Sequence, residues 1–237
     1  MEYISEEKTI AVGCTKNPDM HGWVSLPDPM ASGHTSNSRN TRDCLQSEEK
    51  SMSLGIILRK GDFFYYAADS RCKLLVDAKI IRLDDEYKKV FLISGTAKPI
   101  VITGTNIING VSAEKIVMSS SSIEECAENL KQLNVVAYVV EKVNNNYFYK
   151  DITTDNKYQF LDESIHFSGH PHAVEMLKKL HVTKSNIDEY IVEYLNNIFN
   201  IFTTFPELVD NSIGGSVNIF KQEYGHSPVR LQGWYDL

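Results

Sequence analysis

The sequence predicts an α+β fold, a four-layer αββα sandwich of two mainly antiparallel sheets between helices. Three observations predict it. The strand-like segments come in hairpin groups, which implies antiparallel pairing. The helical segments carry one apolar face each and need a sheet surface to cover. The run "LGIIL" at Leu54–Leu58 shows no polar alternation, the pattern of a strand buried on both faces. Two stacked sheets with helices outside satisfy all three, although periodicity alone does not choose this over a simpler α+β arrangement.

Residues 1–50 stand apart. "NPDMHGWVSLPDPMASGHTSNSRNTRDCLQSEEK" is rich in Pro, Gly, Ser and Asn without sustained periodicity, so it reads as an irregular extension, with one short strand allowed in "KTIAVGC". The domain proper is expected at residues 51–237. "LGIIL" leads through a "RKGD" turn into the aromatic run "FFYYAA". Lys79–Leu83 and "KKVFLISG" give two short strands around a "DDEY" turn, and the Gly-interrupted "VITGTNIING" is ambiguous. "SSSSIEECAENLKQL" starts a helix, with Ser121 or Ser122 as cap and Glu124 or Glu125 closing a capping box.

"VVAYVVEKVNNNYFYKDITTDNKYQFLD" is a three-stranded meander turning at Asn144–Asn146 and Asp155–Asn156. "HPHAVEMLKKL" is a short helix. "NIDEYIVEYLNNIFNIF" is a longer one whose apolar stripe contains Ile187, Tyr190, Ile191, Tyr194, Leu195, Ile198, Phe199 and Phe202. "GGSVNIFKQ" and "VRLQGWYDL" supply the last strands.

Composition narrows the function classes. The chain has 237 residues, 42% hydrophobic and 23% charged, with a net charge of -7 and no basic cluster, which argues against nucleic-acid binding. No apolar run reaches the ~18 residues of a membrane span, and "MEYISEEKTIAV" is not a secretory signal. Cys14, Cys44, Cys72 and Cys126 have no metal or disulfide spacing, so a reduced cytoplasmic or nuclear protein without cofactor is expected. His166, His170 and His172 in "HFSGHPH" have no matching carboxylate or Cys, and read as loop histidines ahead of a helix opened by Pro171.

Four passages in consistent order resemble the β-type subunits of the 20S proteasome and the N-terminal nucleophile hydrolases. They are "SLGIILRKGDFFYYAADSR", "AKIIRLDDEYKKVFLISGTA", the meander into "FSGH", and "DNSIGGSVNIF". The resemblance implies the αββα sandwich, a peptide or unfolded-protein substrate, and a homo- or hetero-oligomeric ring. It implies a threonine- or serine-type peptidase whose nucleophile is the first mature residue, with its own α-amine as base and an acyl-enzyme intermediate. An α-amine titrates near pH ~8, which suits a base at neutral pH, and a nearby Lys ammonium lowers the pKa of amine and nucleophile alike. The amine must be free, so residues 1–50 would be a removable propeptide.

By the same resemblance, Asp69 is the carboxylate after the hairpin and Lys79 the ammonium it orients. Gly95 is the strand-end glycine whose N–H stabilises an oxyanion, Ser168 the Gly-Ser loop hydroxyl, and Asp210 the distal carboxylate supporting it. Counting back from Asp69 without gaps makes Ser53 the nucleophile. Matching Gly55 and Gly61 to the family's glycines makes it Ser51 instead. Met52 and Lys50 precede these serines where the family has Gly, and Ile213 stands where the family has Ser before Gly-Gly. These departures favour the alternative, a non-catalytic structural subunit used for ring assembly.

Overall fold

The computed structural model describes residues 53–76, 79–105, 107–108, 111–178 and 188–237. Residues 1–50, the "KTIAVGC" segment and Ser51 lie outside them. In chain order the strands before the first helix are β1 (Leu54–Lys60), β2 (Phe63–Asp69), β3 (Cys72–Val76), β4 (Lys79–Asp84), β5 (Val90–Leu92), β6 (Pro99–Thr105), β7 (Ile107–Ile108) and β8 (Val111–Ser112). Helices α1 (Ala113–Ser119) and α2 (Ile123–Leu130) follow, then β9 (Asn134–Val143), β10 (Asn146–Asp151), β11 (Lys157–Gln159) and β12 (Ile165–Gly169). The chain closes with α3 (Pro171–Leu177), α4 (Asp188–Thr204), a 3-10 turn at Pro206–Val209, β13 (Val217–Glu223) and β14 (Val229–Gln232).

The strands form two five-stranded sheets, ordered β12-β1-β2-β13-β14 and β11-β10-β9-β6-β5, in which every pairing is antiparallel. This is the predicted α+β class: two antiparallel sheets with four α-helices among the described residues. The β1–β2 hairpin closes Lys60 on Phe63 across Gly61 and Asp62, and Gly61 supplies the left-handed backbone (φ +61) the tight turn needs.

Three apolar clusters explain the arrangement. Leu54, Ile56 and Leu58 pack with Ala173 and Leu177 of α3 and with Ile191, Leu195, Ile198, Phe199 and Phe202 of α4. Ile57, one step out of phase on the same strand, joins Phe64, Tyr66, Val101, Val140 and Tyr147, drawn from both sheets. Ile100, Ile102, Ala137 and Val139 meet Ala113, Ile116 and Val117 of α1 and Cys126 and Leu130 of α2. β1 is thus buried on both faces, as its unbroken apolar run requires, and each such Leu, Ile or Phe contributes about 1.5–3 kcal/mol through burial.

Local signals hold where chemistry fixes them. Ser122 caps α2, accepting the Glu125 N–H at 3.1 Å, while the Glu125 carboxylate reaches back to the Ser121 N–H at 2.8 Å. Asn144, Asn145 and Asp155 turn the meander with φ of 49, 63 and 63. Pro171 opens α3.

Three expectations change. Lys79–Asp84 and Val90–Leu92 are not neighbours around a turn: β4 pairs with β3 in a separate ladder, while β5 joins the second sheet. The ambiguous "VITGTNIING" supplies most of β6, which lies between β5 and β9, and the short β7. The apolar stripe of α4 is narrower than its sequence suggests, because Tyr190 is 56% exposed, and Ile187 lies outside the described residues. No helix among the described residues is long and apolar enough to cross a membrane.

Candidate functional site

The hairpin brings its two polar ends together. Gly55 pairs with Ala68, so the start of β1 lies beside the end of β2. Asp69 is 1% exposed and takes four hydrogen bonds: the Leu54 N–H at 2.9 Å on Oδ1, and on Oδ2 the Lys89 ammonium at 2.9 Å, the Gly214 N–H at 3.2 Å and the Arg71 N–H at 3.2 Å. The Lys89 ammonium also donates to the Arg71 carbonyl at 2.6 Å and is equally buried. Burial raises the Asp69 carboxyl above its ordinary value, against the downward pull of Lys89 and the backbone N–H groups. The donor set is that of a carboxylate paired with an ammonium.

Ser53 stands one residue before this anchor and is fully buried. Its Oγ accepts the Gly104 N–H at 3.2 Å, and its carbonyl accepts the His170 N–H at 2.8 Å. The close approach to Gly169 leaves no room for a side chain there, since a Cβ would sit 1.9 Å from the Ser53 carbonyl oxygen. Gly104 is equally constrained: its φ is +114, and a Cβ would sit 2.4 Å from the Asn134 carbonyl oxygen. Hydroxyl, backbone N–H, carboxylate and ammonium therefore converge where β1 begins.

Around this centre the residues after Asp69 form a brace. The Arg71 guanidinium grips Asp85 with two bonds, Nε to Oδ1 at 2.7 Å and Nη2 to Oδ2 at 2.9 Å, and also donates to Asn211. That grip holds the Asp85 carboxyl below its usual range. The Ser70 hydroxyl donates to the Asp85 carbonyl and accepts the Ser216 N–H at 2.8 Å. The triplet Asp69-Ser70-Arg71 thus ties the hairpin to the Gly214–Ser216 turn.

Set against the sequence, Asp69 lies at the end of β2 with its carboxylate on the Leu54 N–H, and the ammonium it meets belongs to Lys89, not to Lys79. Lys79 opens β4 opposite Val76. Gly95 lies exposed in the turn between β5 and β6, and the N–H at the Ser53 hydroxyl is that of Gly104. Ser168 is buried opposite Gly55 and donates to the Gly55 carbonyl at 3.4 Å. Asp210 is exposed, in left-handed backbone after the 3-10 turn. Ile213 packs inside the cluster beneath α4, which accounts for an apolar residue there.

Lys89 and Gly104, outside the expected set, each leave a trace in the sequence. Lys89 directly precedes the buried strand "VFL", where a charge must find a partner inside. Gly104 interrupts the apolar run "VITGT", and an isolated glycine in a strand marks close backbone approach.

No family model matches the sequence, and no curated protein matches it. Among solved structures the fold is similar to the Gly-1 mutant of Anbu from Hyphomicrobium sp. strain MC1, with a TM-score of 0.51 and 13% identity over 76% of this chain and 86% of that one. It is similar also to Anbu from the same strain, with a TM-score of 0.52 and 12% identity over 75% and 87% of the two chains. Anbu (ancestral beta-subunit) from Yersinia bercovieri superposes with a TM-score of 0.49 and 11% identity over 75% and 87%. The expected membership among 20S proteasome β-type subunits and N-terminal nucleophile hydrolases is corrected by these results. The likeness is to Anbu structures at 12–13% identity, with no match to any family model, and it is a distant likeness of fold.

Proposed function

We propose that this chain, whose fold is shared at a distance with proteasome-like β-subunits, is a peptidase that cleaves amide bonds through an N-terminal Ser53 exposed by removal of residues 1–52. The observation that carries the reading is the anchoring of two consecutive residues. Gly104 N–H holds the Ser53 hydroxyl at 3.2 Å, while Asp69, paired with Lys89, holds the next amide at 2.9 Å. The supporting architecture is a helix–sheet–sheet–helix stack, favoured by the three apolar clusters.

Once the bond before Ser53 is cut, its α-amine is a base with a pKa near ~8 beside its own hydroxyl. In turnover, the Oγ–C bond forms as the Oγ proton passes to the α-amine, the amide C–N bond breaks, and that proton leaves with the amine product. Water then hydrolyses the ester. The Gly104 N–H, which donates to Ser53 Oγ at 3.2 Å, supports negative charge on the nucleophile as it loses its proton. The Lys89 ammonium favours the anionic form of the nucleophile and the unprotonated form of the amine. Intact-mass measurement and N-terminal sequencing test the first step: a chain starting at Ser53 is expected, and a purified folded chain starting at Met1 overturns the reading. A probe for N-terminal hydroxyl nucleophiles should label the wild type and the Ser51→Ala variant but not Ser53→Ala.

One observation favours a second reading, a non-catalytic structural subunit. Ser53 is fully buried and already bonded through hydroxyl and carbonyl, as a structural residue would be. A processed chain that no such probe labels decides for it.

A further inference from the structure

Sheet order leaves one side of the molecule uneven. β12 ends its sheet, and among the described residues no strand pairs with its far side. The second sheet presents β9, β10 and β11 toward a groove of about 930 Å³ that runs along β12. The wall is aromatic. Tyr149 stacks on Tyr158 at 5.2 Å and on His166 at 4.0 Å, and Tyr138 meets His166 edge-on at 4.3 Å. Tyr158 is 47% exposed. Glu163, Glu175 and Lys178 also line the groove, so its charged groups carry an excess of one acid.

The edge itself is readable. The Arg59 N–H donates to the Ser164 carbonyl and the His170 N–H to the Ser53 carbonyl. Residues 164, 166, 168 and 170 therefore turn their backbone groups toward β1, and by the two-residue period Ile165 and Phe167 turn theirs outward into the groove. A row of outward N–H and C=O groups is a template for an added strand. Tyrosine faces attract cations, two glutamates supply opposite charge, and the chain as a whole carries -7. His166 adds no repelling charge, because burial lowers its pKa to about 4.

We infer that this groove binds an extended basic peptide segment of a partner protein, which adds as a strand to the edge of β12 that no described strand pairs, and lays Arg or Lys side chains over the exposed ring of Tyr158 between Glu163 and Glu175. The groove reaches Ser168 and Gly169 beside the start of β1, so the test uses the full chain carrying Ser53→Ala, in which binding is read without turnover and does not depend on peptidase function.

The probe is a fluorescein-labelled peptide of alternating Thr and Arg, six residues long, with a Thr–Glu counterpart, titrated by anisotropy at fixed ionic strength. The basic peptide is expected to bind at least tenfold tighter than the acidic one. The Glu163→Gln/Glu175→Gln double variant should lose tenfold or more, and Tyr158→Ala several-fold. Amide exchange at Ile165 and Phe167 should slow on binding, which a loose ionic association would not produce. Equal binding of the two peptides, no binding at millimolar concentration, unchanged affinity in the variants, or unaltered exchange at both amides overturns the proposal.

Discussion

Asp69 and Lys89 form an ion pair 2.9 Å long in which each side chain is only 1% exposed. Neither charge has water to fall back on, so each is stable only through the other and through the backbone groups around them. Lys89→Met is expected to cost about 3–5 kcal/mol by leaving a buried carboxylate unpaired. Adding Asp69→Asn should recover part of that loss, because the uncompensated charge is gone. Chemical denaturation of the two single variants and the double variant measures the coupling; additive losses would mean that the pair does not act as a unit.

The same pair separates two lysines by function. In the proposed peptidase, Lys89→Met should lower the labelling rate of Ser53 by roughly 10²-fold or more, while Lys79→Met stays within about twofold. Labelling kinetics on folded variants, checked by circular dichroism, give the comparison. The reverse order of effects would return the role to Lys79.

Two glycines should respond differently. Gly104→Ala places a methyl against the Asn134 carbonyl at a positive φ, and is expected to cost more than about 2 kcal/mol and to displace the N–H from Ser53. Gly95→Ala meets nothing within 4 Å, so only its positive φ of +72 counts, for about 1 kcal/mol, with labelling unchanged. Thermal melts paired with labelling distinguish the two.

His166 gives stability an acid limb. Burial lowers its pKa from 6.5 to about 4, with Asp151 pulling it up and Lys178 pushing it further down. Between these values the unfolded chain takes up a proton that the folded chain refuses. Stability should therefore fall as pH drops from 6.5 toward 4, by about 1–3 kcal/mol, and be insensitive to this group above that range. His166→Phe should flatten this part of the denaturation-versus-pH profile; an unchanged slope assigns the acid sensitivity elsewhere.

What the sequence revealed followed how local each signal was. The β1–β2 hairpin, the Ser122 cap, the Asn144–Asn145 turn and the Pro171 helix start all depend on a few adjacent residues, and each is where its pattern places it. Asp69 was legible because it closes that hairpin. The role of Lys89 was not, although its place before a buried strand is readable, because its partner lies 20 residues away and the intervening β3–β4 ladder could not be foreseen from periodicity. The interruption at Gly104 is visible in the sequence, but its partner is not: its N–H matters only because sheet stacking brings β6 under β1, a contact 51 residues apart in the chain.

The hydrogen bonds that hold Ser53 and Leu54 also bear on what a cut before Ser53 would leave behind. The bonds to the Ser53 hydroxyl, the Ser53 carbonyl and the Leu54 N–H all involve atoms on the downstream side of that bond. New chain ends ordinarily fray, because nothing ties their first residues down. Here the new terminus would begin already fastened at three points, to β6, to the junction of β12 and α3, and to β2. A terminus of that kind keeps its position without further folding, and its ammonium would enter a site built before the charge existed.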